Sequence, residues 1–242
     1  MREPPLPELV CPRVTPPGAI DGDPWKAPWT SLAPVWLRPS RGGVAEGAPP
    51  ASVAQAALAP DAAPLPARWR FQPTALRVAH DGARLLICFH CVDRDARGSY
   101  TGRNQPIYEE EVVEAFLAPF ADPRQYFELE QSPTGAWFEA RIESPYGRRA
   151  TMRVDRDWRC QGWERAVRLC TDAAGRHVWW CAEWAIPFAA LGAPAPGEGT
   201  RWRANFYRID REGAGQFSAW SPTLVDPPDF HRPDRFGTLL FT

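Results

Sequence analysis

Lysine is almost absent from this chain: Lys26 is the only one, and arginine carries the remaining positive charge. Methionine is nearly as scarce, at 2 residues, and the formal net charge is only -1. Balanced charge with dispersed arginines excludes a basic face of the kind that holds nucleic acid, so no nucleic-acid partner is expected. No apolar run approaches membrane-spanning length, so no membrane partner is expected either. The opening residues Met1 to Val10 lack the continuous apolar stretch of a secretory leader. The chain as written is therefore expected to be cytoplasmic, or extracytoplasmic if its N-terminus is incomplete. Repeats at solenoid or propeller spacing are missing as well.

Cysteine is sparse. The 6 cysteines sit mostly in apolar, strand-like runs, which predicts buried free thiols instead of a disulfide framework. Cys88-Phe89-His90-Cys91 has CxxC spacing, but residues i and i+3 of a strand point to opposite faces, which disfavours a shared metal ion.

Against these absences stand 12 Trp, 12 Phe and 28 Pro. Aromatics suit pleated, half-buried surfaces and prolines punctuate loops, so the balance favours β structure over a helical bundle. The expectation is an all-β chain, a single-domain antiparallel β-sandwich over residues 1–242. Strands are predicted at Thr74 to Ala79 and Leu85 to Val92, a hairpin around Asp81-Gly82, and at Gln125 to Gln131 and Trp137 to Glu143, a hairpin across Ser132 to Gly135. Further strands are expected at 165–170, 178–186, 202–208, 217–220 and 236–241, with one helical turn from Pro187 to Gly192. Ala19 to Trp25 reads as a hairpin or edge segment. Residues 42–66, rich in Ala and Pro, read as a long surface loop insertion without regular structure.

The segment Tyr108 to Leu117 is the most informative. Its alternation puts Val113, Ala115 and Leu117 on one face of a strand and Val112, Glu114 and Phe116 on the other. Both faces are largely apolar, so an ionised Glu114 requires donors from the protein or from a ligand. Arg208, on the segment Asn205 to Arg208, is the expected ion-pair partner of Glu114, with donation to a ligand as the alternative. Glu109 to Glu111 read as a solvated turn, with cation binding as the other option.

Four motifs in register resemble family 9 carbohydrate-binding modules: Asp21-Gly22-Asp23-Pro24-Trp25, Pro106 to Leu117, Trp220-Ser221, and Phe230 through Leu239. The resemblance implies a jelly-roll or DOMON-like sandwich, and a carbohydrate ligand held by an aromatic clamp and by polar groups that bind its hydroxyls. Carried over by motif, the clamp positions fall at Tyr108 and Phe230, the sugar-contacting carboxylate at Glu114, and an amide contact at Tyr207. The clamp residues are Trp in the sugar binders of the family, and the position of the family's Arg contact falls at Glu128. Glu111, Asn205, Arg208, His231 and Arg232 complete the expected binding set, with a surface or capping role as the alternative for His231.

The lead expectation is thus a noncatalytic sugar-binding protein with no cofactor beyond the structural calcium that the resemblance implies, for which acidic residues near Asp93 and Glu109 to Glu111 offer oxygens without EF-hand-like spacing. A glycoside hydrolase using paired glutamates among Glu109, Glu111, Glu114, Glu128 and Glu130 is one alternative. A DOMON-like haem domain ligated by His90 or Met152 is the other.

Overall fold

The computed structural model describes residues 3–213 and 215–242. Its strands, in chain order, are β1 (Glu8–Cys11), β2 (Val35–Trp36), β3 (Arg38–Pro39), β4 (Thr74–His80), β5 (Arg84–Val92), β6 (Val112–Ala118), β7 (Gln125–Gln131), β8 (Trp137–Glu143), β9 (Arg153–Asp155), β10 (Glu164–Thr171), β11 (His177–Pro187), β12 (Arg201–Asp210), β13 (Gln216–Ala219) and β14 (Gly237–Phe241). They form two sheets, the larger ordered β1-β14-β12-β6-β7-β8-β9 with β13 and β3 branching from β12, the smaller ordered β10-β11-β5-β4-β2. Pairing is antiparallel except between β1 and β14. The result is a β-sandwich.

Alternation along the strands builds three layers of apolar packing. Val113, Ala115 and Leu117 of β6 join Phe127, Leu129, Ala204 and Phe206 between the sheets, against Ile87, Phe89, Trp180 and Trp184 of the smaller one. Val112 and Phe116 point the other way, into a second cluster with Tyr126, Phe138, Tyr207, Phe230 and Phe236 on the outer face of the larger sheet. A third cluster covers the outer face of the smaller sheet, where Trp25, Trp29 and Leu32 of the N-terminal segment pack on Cys88, Trp179 and Cys181. Each buried Leu, Ile, Val or Phe side chain contributes about 1.5–3 kcal/mol, so covering the outer faces is a large part of what holds this chain together.

Polar ties lock the sheets in place. Trp184 on β11 donates to Gln131 on β7 at 2.6 Å. Arg208 on β12 crosses to the smaller sheet, donating to Val92 O at 2.8 Å and Thr74 Oγ1 at 3.2 Å. The N-terminal motif is a clasp: both backbone N–H groups of Asp21 and Gly22, the Trp29 indole and the ammonium of Lys26 all donate to the buried carboxylate of Glu183. Gly22 has a φ of +79°, and a Cβ there would stand 2.8 Å from Arg168 N, which explains the glycine.

Several expectations need correction. Residues 42–66 are not a structureless loop: α1 (Ala51–Ala56) lies within them, and Ala54, Ala57, Leu58 and Leu65 are buried, the last three packing on Ala75 and Val92. Ala57, Leu58 and Leu65 supply an apolar face that the Ala- and Pro-rich composition did not reveal. Ala19 to Trp25 forms no strand, and closes over the smaller sheet instead. Cys11, Cys88, Cys91, Cys160 and Cys181 are buried free thiols, as expected, while Cys170 is half-exposed. Cys88 and Cys91 do face opposite sides, falling in different clusters.

Candidate functional site

On the outer face of the larger sheet, the apolar layer opens into a cavity of about 450 Å³. Tyr108, Phe138, Phe217 and Phe230 supply aromatic lining, Glu114 and Glu128 supply carboxylates, and Arg149, Arg156, Arg211, Asp229 and His231 add further charged and polar groups. The strand register explains why these residues meet. Glu114 lies directly opposite Tyr207 on β12 and directly opposite Glu130 on β7, while Phe116 lies opposite Glu128. Glu114, Glu128 and Glu130 thus share one face of adjacent strands.

This is an expensive arrangement. Like charges directly opposite each other destabilise a sheet, and all three glutamates are buried. One oxygen from each lies within 4.8 Å of the others. Burial, followed by the charge of Glu128, pushes the Glu114 carboxyl well above the ordinary carboxylate range; burial, then the charges of Glu114 and Glu128, does the same to Glu130.

The aromatic walls are held from behind. Phe230 stacks on Tyr207 with ring centroids 4.1 Å apart and planes 10° from parallel, and the Tyr207 hydroxyl donates to Phe230 O at 2.9 Å. Tyr108, half-buried at the end of the acidic turn, meets Phe138 edge-on at 5.8 Å. His231 Nδ1 lies 2.8 Å from the Tyr126 hydroxyl, and its Nε2 lies 3.7 Å from Glu128. Burial lowers the His231 pKa, favouring the neutral ring. A Tyr126 hydroxyl donating to Nδ1 leaves the proton on Nε2, facing the Glu128 carboxylate. Arg149 pairs with Asp229 at 3.6 Å, and Arg211 donates to Tyr108 O at 3.2 Å.

The structure brings together Tyr108, Glu114, Phe230 and His231 from the expected set, with Tyr207 directly behind Phe230. It separates the others. Arg208 does not pair with Glu114: it sits on the inner face of β12 and binds Asp93 at 2.8 Å and Asp210 at 3.2 Å. Period-two alternation gives the physical reason, because Arg208 lies opposite Val113 and Glu114 lies opposite Tyr207. Glu111 belongs with that inner group. Its carboxyl accepts from Arg211 N at 3.3 Å, and burial, with Asp93 next, pushes its pKa up to about 10.

Asn205 is consumed locally, donating to Ser221 O at 2.7 Å and accepting from Ser221 N at 2.9 Å. Arg232 pairs with Asp234 at 2.7 Å. The residues named for calcium disperse: Glu109 is exposed, Glu110 accepts from Ser99, and Asp93 faces Arg208. The haem alternatives also separate. His90 packs between Trp25 and Trp179 over the smaller sheet, whereas Met152 lines the cavity on the larger one. Sequence reasoning named Glu130 only among the paired glutamates of the hydrolase alternative, and missed Arg149, Arg156 and Arg211 as lining. The alternation Glu128-Leu129-Glu130 carried a signal for the first, since it puts two carboxylates on one face.

A sandwich with an aromatic-walled, carboxylate-floored hollow on one sheet face defines a small-ligand binding module. Residues 66–241 match carbohydrate-binding family 9, and the chain belongs to that family. Among solved structures it is similar to a candidate carbohydrate-binding protein from Bacteroides uniformis, with 19% identity, a TM-score of 0.69, and coverage of 97% of this chain and 99% of that one. It is also similar to a family 9 module from Caldicellulosiruptor kristjanssonii solved with cellotriose, at 12% identity and a TM-score of 0.61 over 98% of this chain and 94% of that one. The glucose complex of a family 9 module from the same organism has 11% identity and a TM-score of 0.61, covering 98% and 96%. No curated protein matches the chain.

Proposed function

We propose that this protein is a noncatalytic carbohydrate-binding module whose ligand seats in the cavity between Tyr108 and Phe230. The observation that carries the reading is the pairing of supported aromatic rings with the carboxylates of Glu114 and Glu128 around one hollow. A sugar ring presents apolar C–H faces that stack on aromatics and hydroxyls that donate to carboxylate oxygens. Membership of carbohydrate-binding family 9, and the glucose and cellotriose bound by similar modules, support the ligand class. Tyr and Phe give less stacking area than the Trp pair of the resemblance, so a mono- or disaccharide end fits better than a long chain laid across the sheet.

The carboxylates do not favour hydrolysis. Glu114, Glu128 and Glu130 bring one oxygen each within 4.8 Å of the others on a single floor, whereas the two carboxyl groups of a glycosidase flank the scissile bond. They also lie side by side on neighbouring strands instead of flanking a scissile bond. The test is a glycan array followed by calorimetry with the best binder, on the parent chain and on Tyr108→Ala and Phe230→Ala. We expect at least about a tenfold loss of affinity in each variant, equivalent to ~1.4 kcal/mol, and no sugar released by the parent. Binding that survives in both variants, or absence of any glycan binding, would overturn the proposal.

A further inference from the structure

The edges of the two sheets are not alike. Unpaired backbone groups along an edge strand invite another chain to pair, and short edge strands are a common protection. Here β1, β9 and β2 close their sheets with 4, 3 and 2 residues, whereas β10 ends the smaller sheet with 8. β10 pairs with β11 alone, so every second residue along it turns its N–H and C=O groups outward. Beside it lies a second hollow, of about 640 Å³, which shares no lining residue with the cavity between Tyr108 and Phe230. Consecutive residues 164–167 of β10 line this hollow. Their side chains alternate in direction, so the hollow follows the edge of the strand. Ile20 of the N-terminal segment and Pro133 to Gly135 of the β7–β8 turn border it.

The hollow also holds donors without acceptors. The half-buried guanidinium of Arg165 stands 3.7 Å from the ring centroid of Trp137 and 4.9 Å from that of Trp163, and donates to Trp163 O at 3.3 Å. It meets no carboxylate among the described residues, while its neighbours on β10 are already paired, Glu164 with Arg84 at 2.7 Å and Arg168 with Asp23 at 3.2 Å. Gln131, only 2% exposed, accepts the Trp184 indole on Oε1, and its Nε2 finds no acceptor among the described residues. Leu169 adds apolar surface that is 44% exposed. We propose that the free edge of β10 docks an extended acidic peptide segment, which joins the smaller sheet as a further strand and lays a carboxylate side chain on Arg165 and the Gln131 amide. In such strand addition the backbone hydrogen bonds supply affinity and alternate side chains supply specificity. A guanidinium held against aromatic rings can give two parallel N–H groups to one carboxylate, and apolar side chains at alternate positions of the added strand reach Val167 and Leu169. A second copy of this chain is a poorer occupant, because β10 carries two arginines and its one carboxylate is already held by Arg84.

The experiment pans random eight-residue peptides displayed on phage against the immobilised full chain, then titrates the best binder, made synthetically, by calorimetry. The result expected is one peptide per chain, carrying Asp or Glu among apolar residues. Its affinity should fall at least tenfold in Arg165→Gln, whose folding is checked by thermal melting, and stay unchanged in Arg41→Gln, an exposed arginine paired with Asp226 outside the hollow. N-methylation of the peptide separates strand addition from simple charge attraction and needs no variant. Methyl groups on one of its two alternating sets of amides should abolish binding, and on the other set should be tolerated. No enriched peptide, a binder without acidic residues, full affinity in Arg165→Gln, or indifference to both methylation patterns would each overturn the site. A free chain that sediments as a dimer, with its β10 amides protected from hydrogen exchange, gives the edge to a second copy and overturns the acidic peptide. The carbohydrate reading stands or falls separately, since none of these measurements involves a glycan.

Discussion

Two groups of acidic residues lie on opposite sides of the larger sheet, and they have opposite characters. The inner group, Asp93, Glu111 and Asp210, surrounds the fully buried guanidinium of Arg208 and receives further donors from Trp180 and Gln72. The outer group, Glu114, Glu128 and Glu130, has no cation of its own among the described residues and opens onto a cavity. The inner group is glue. Its charges answer one another and tie the two sheets together, whereas burial holds Glu114 and Glu130 of the outer group toward their neutral forms beside the cavity. Burial alone does not tell the two apart, since both groups are buried.

The sharpest way to break this comparison is to remove the cation from the inner group. Arg208→Met leaves Asp93 and Asp210 buried without their partner, and unfolding in urea should show a loss of about 3–5 kcal/mol. Glu130→Gln, in the same assay, should be neutral or stabilising, because it relieves repulsion instead of stranding a charge. Similar losses in both would erase the distinction. A smaller effect is expected at Glu183, the carboxylate that fastens the N-terminal clasp. Glu183→Gln turns an acceptor-only group into one that donates toward Trp29, Lys26 or the backbone, and should cost about 1.5–3 kcal/mol.

The last expected effect is a pH dependence. The folded pKa of Glu111 is raised to about 10 from an ordinary 4.5, by burial first and by Asp93 next. Its neutral form therefore stabilises the fold fully below the unfolded value, and that contribution is lost as pH rises toward the folded value. Glu111→Gln cannot ionise, so its melting temperature should gain on the parent between about pH 6 and about pH 9. A difference that stays flat across that interval would show that Glu111 does not titrate as the inner group requires.

The four motifs behind the family resemblance divide along the same line. Asp21 to Trp25 builds the Glu183 clasp, Ser221 pairs with Asn205, and Gly237 exists because Trp220 lies on the backbone, where a Cβ would stand 2.5 Å from the ring. These motifs serve the sandwich. The acidic strand and the Phe230-His231 loop serve the cavity.

Alternation along β6, the hairpin turns at Asp81-Gly82 and Ser132 to Gly135, and the aromatic-rich, proline-punctuated composition determined a β-sandwich and put Glu114 and Phe116 on the face opposite Val113. Those are short-range properties, written in period-two spacing and local turn chemistry. Which carboxylate meets which cation was settled only in three dimensions. Arg208 is 94 residues from Glu114 in sequence, and its assignment depended on strand register: a partner directly opposite shares a face, and Arg208 stands opposite Val113. The burial of Leu58 and Leu65 beside Ala75 likewise depended on a surface supplied by distant strands. The juxtaposition of Glu114 with Glu130 belongs to the same class, because only the pairing of β6 with β7 lines them up across one floor.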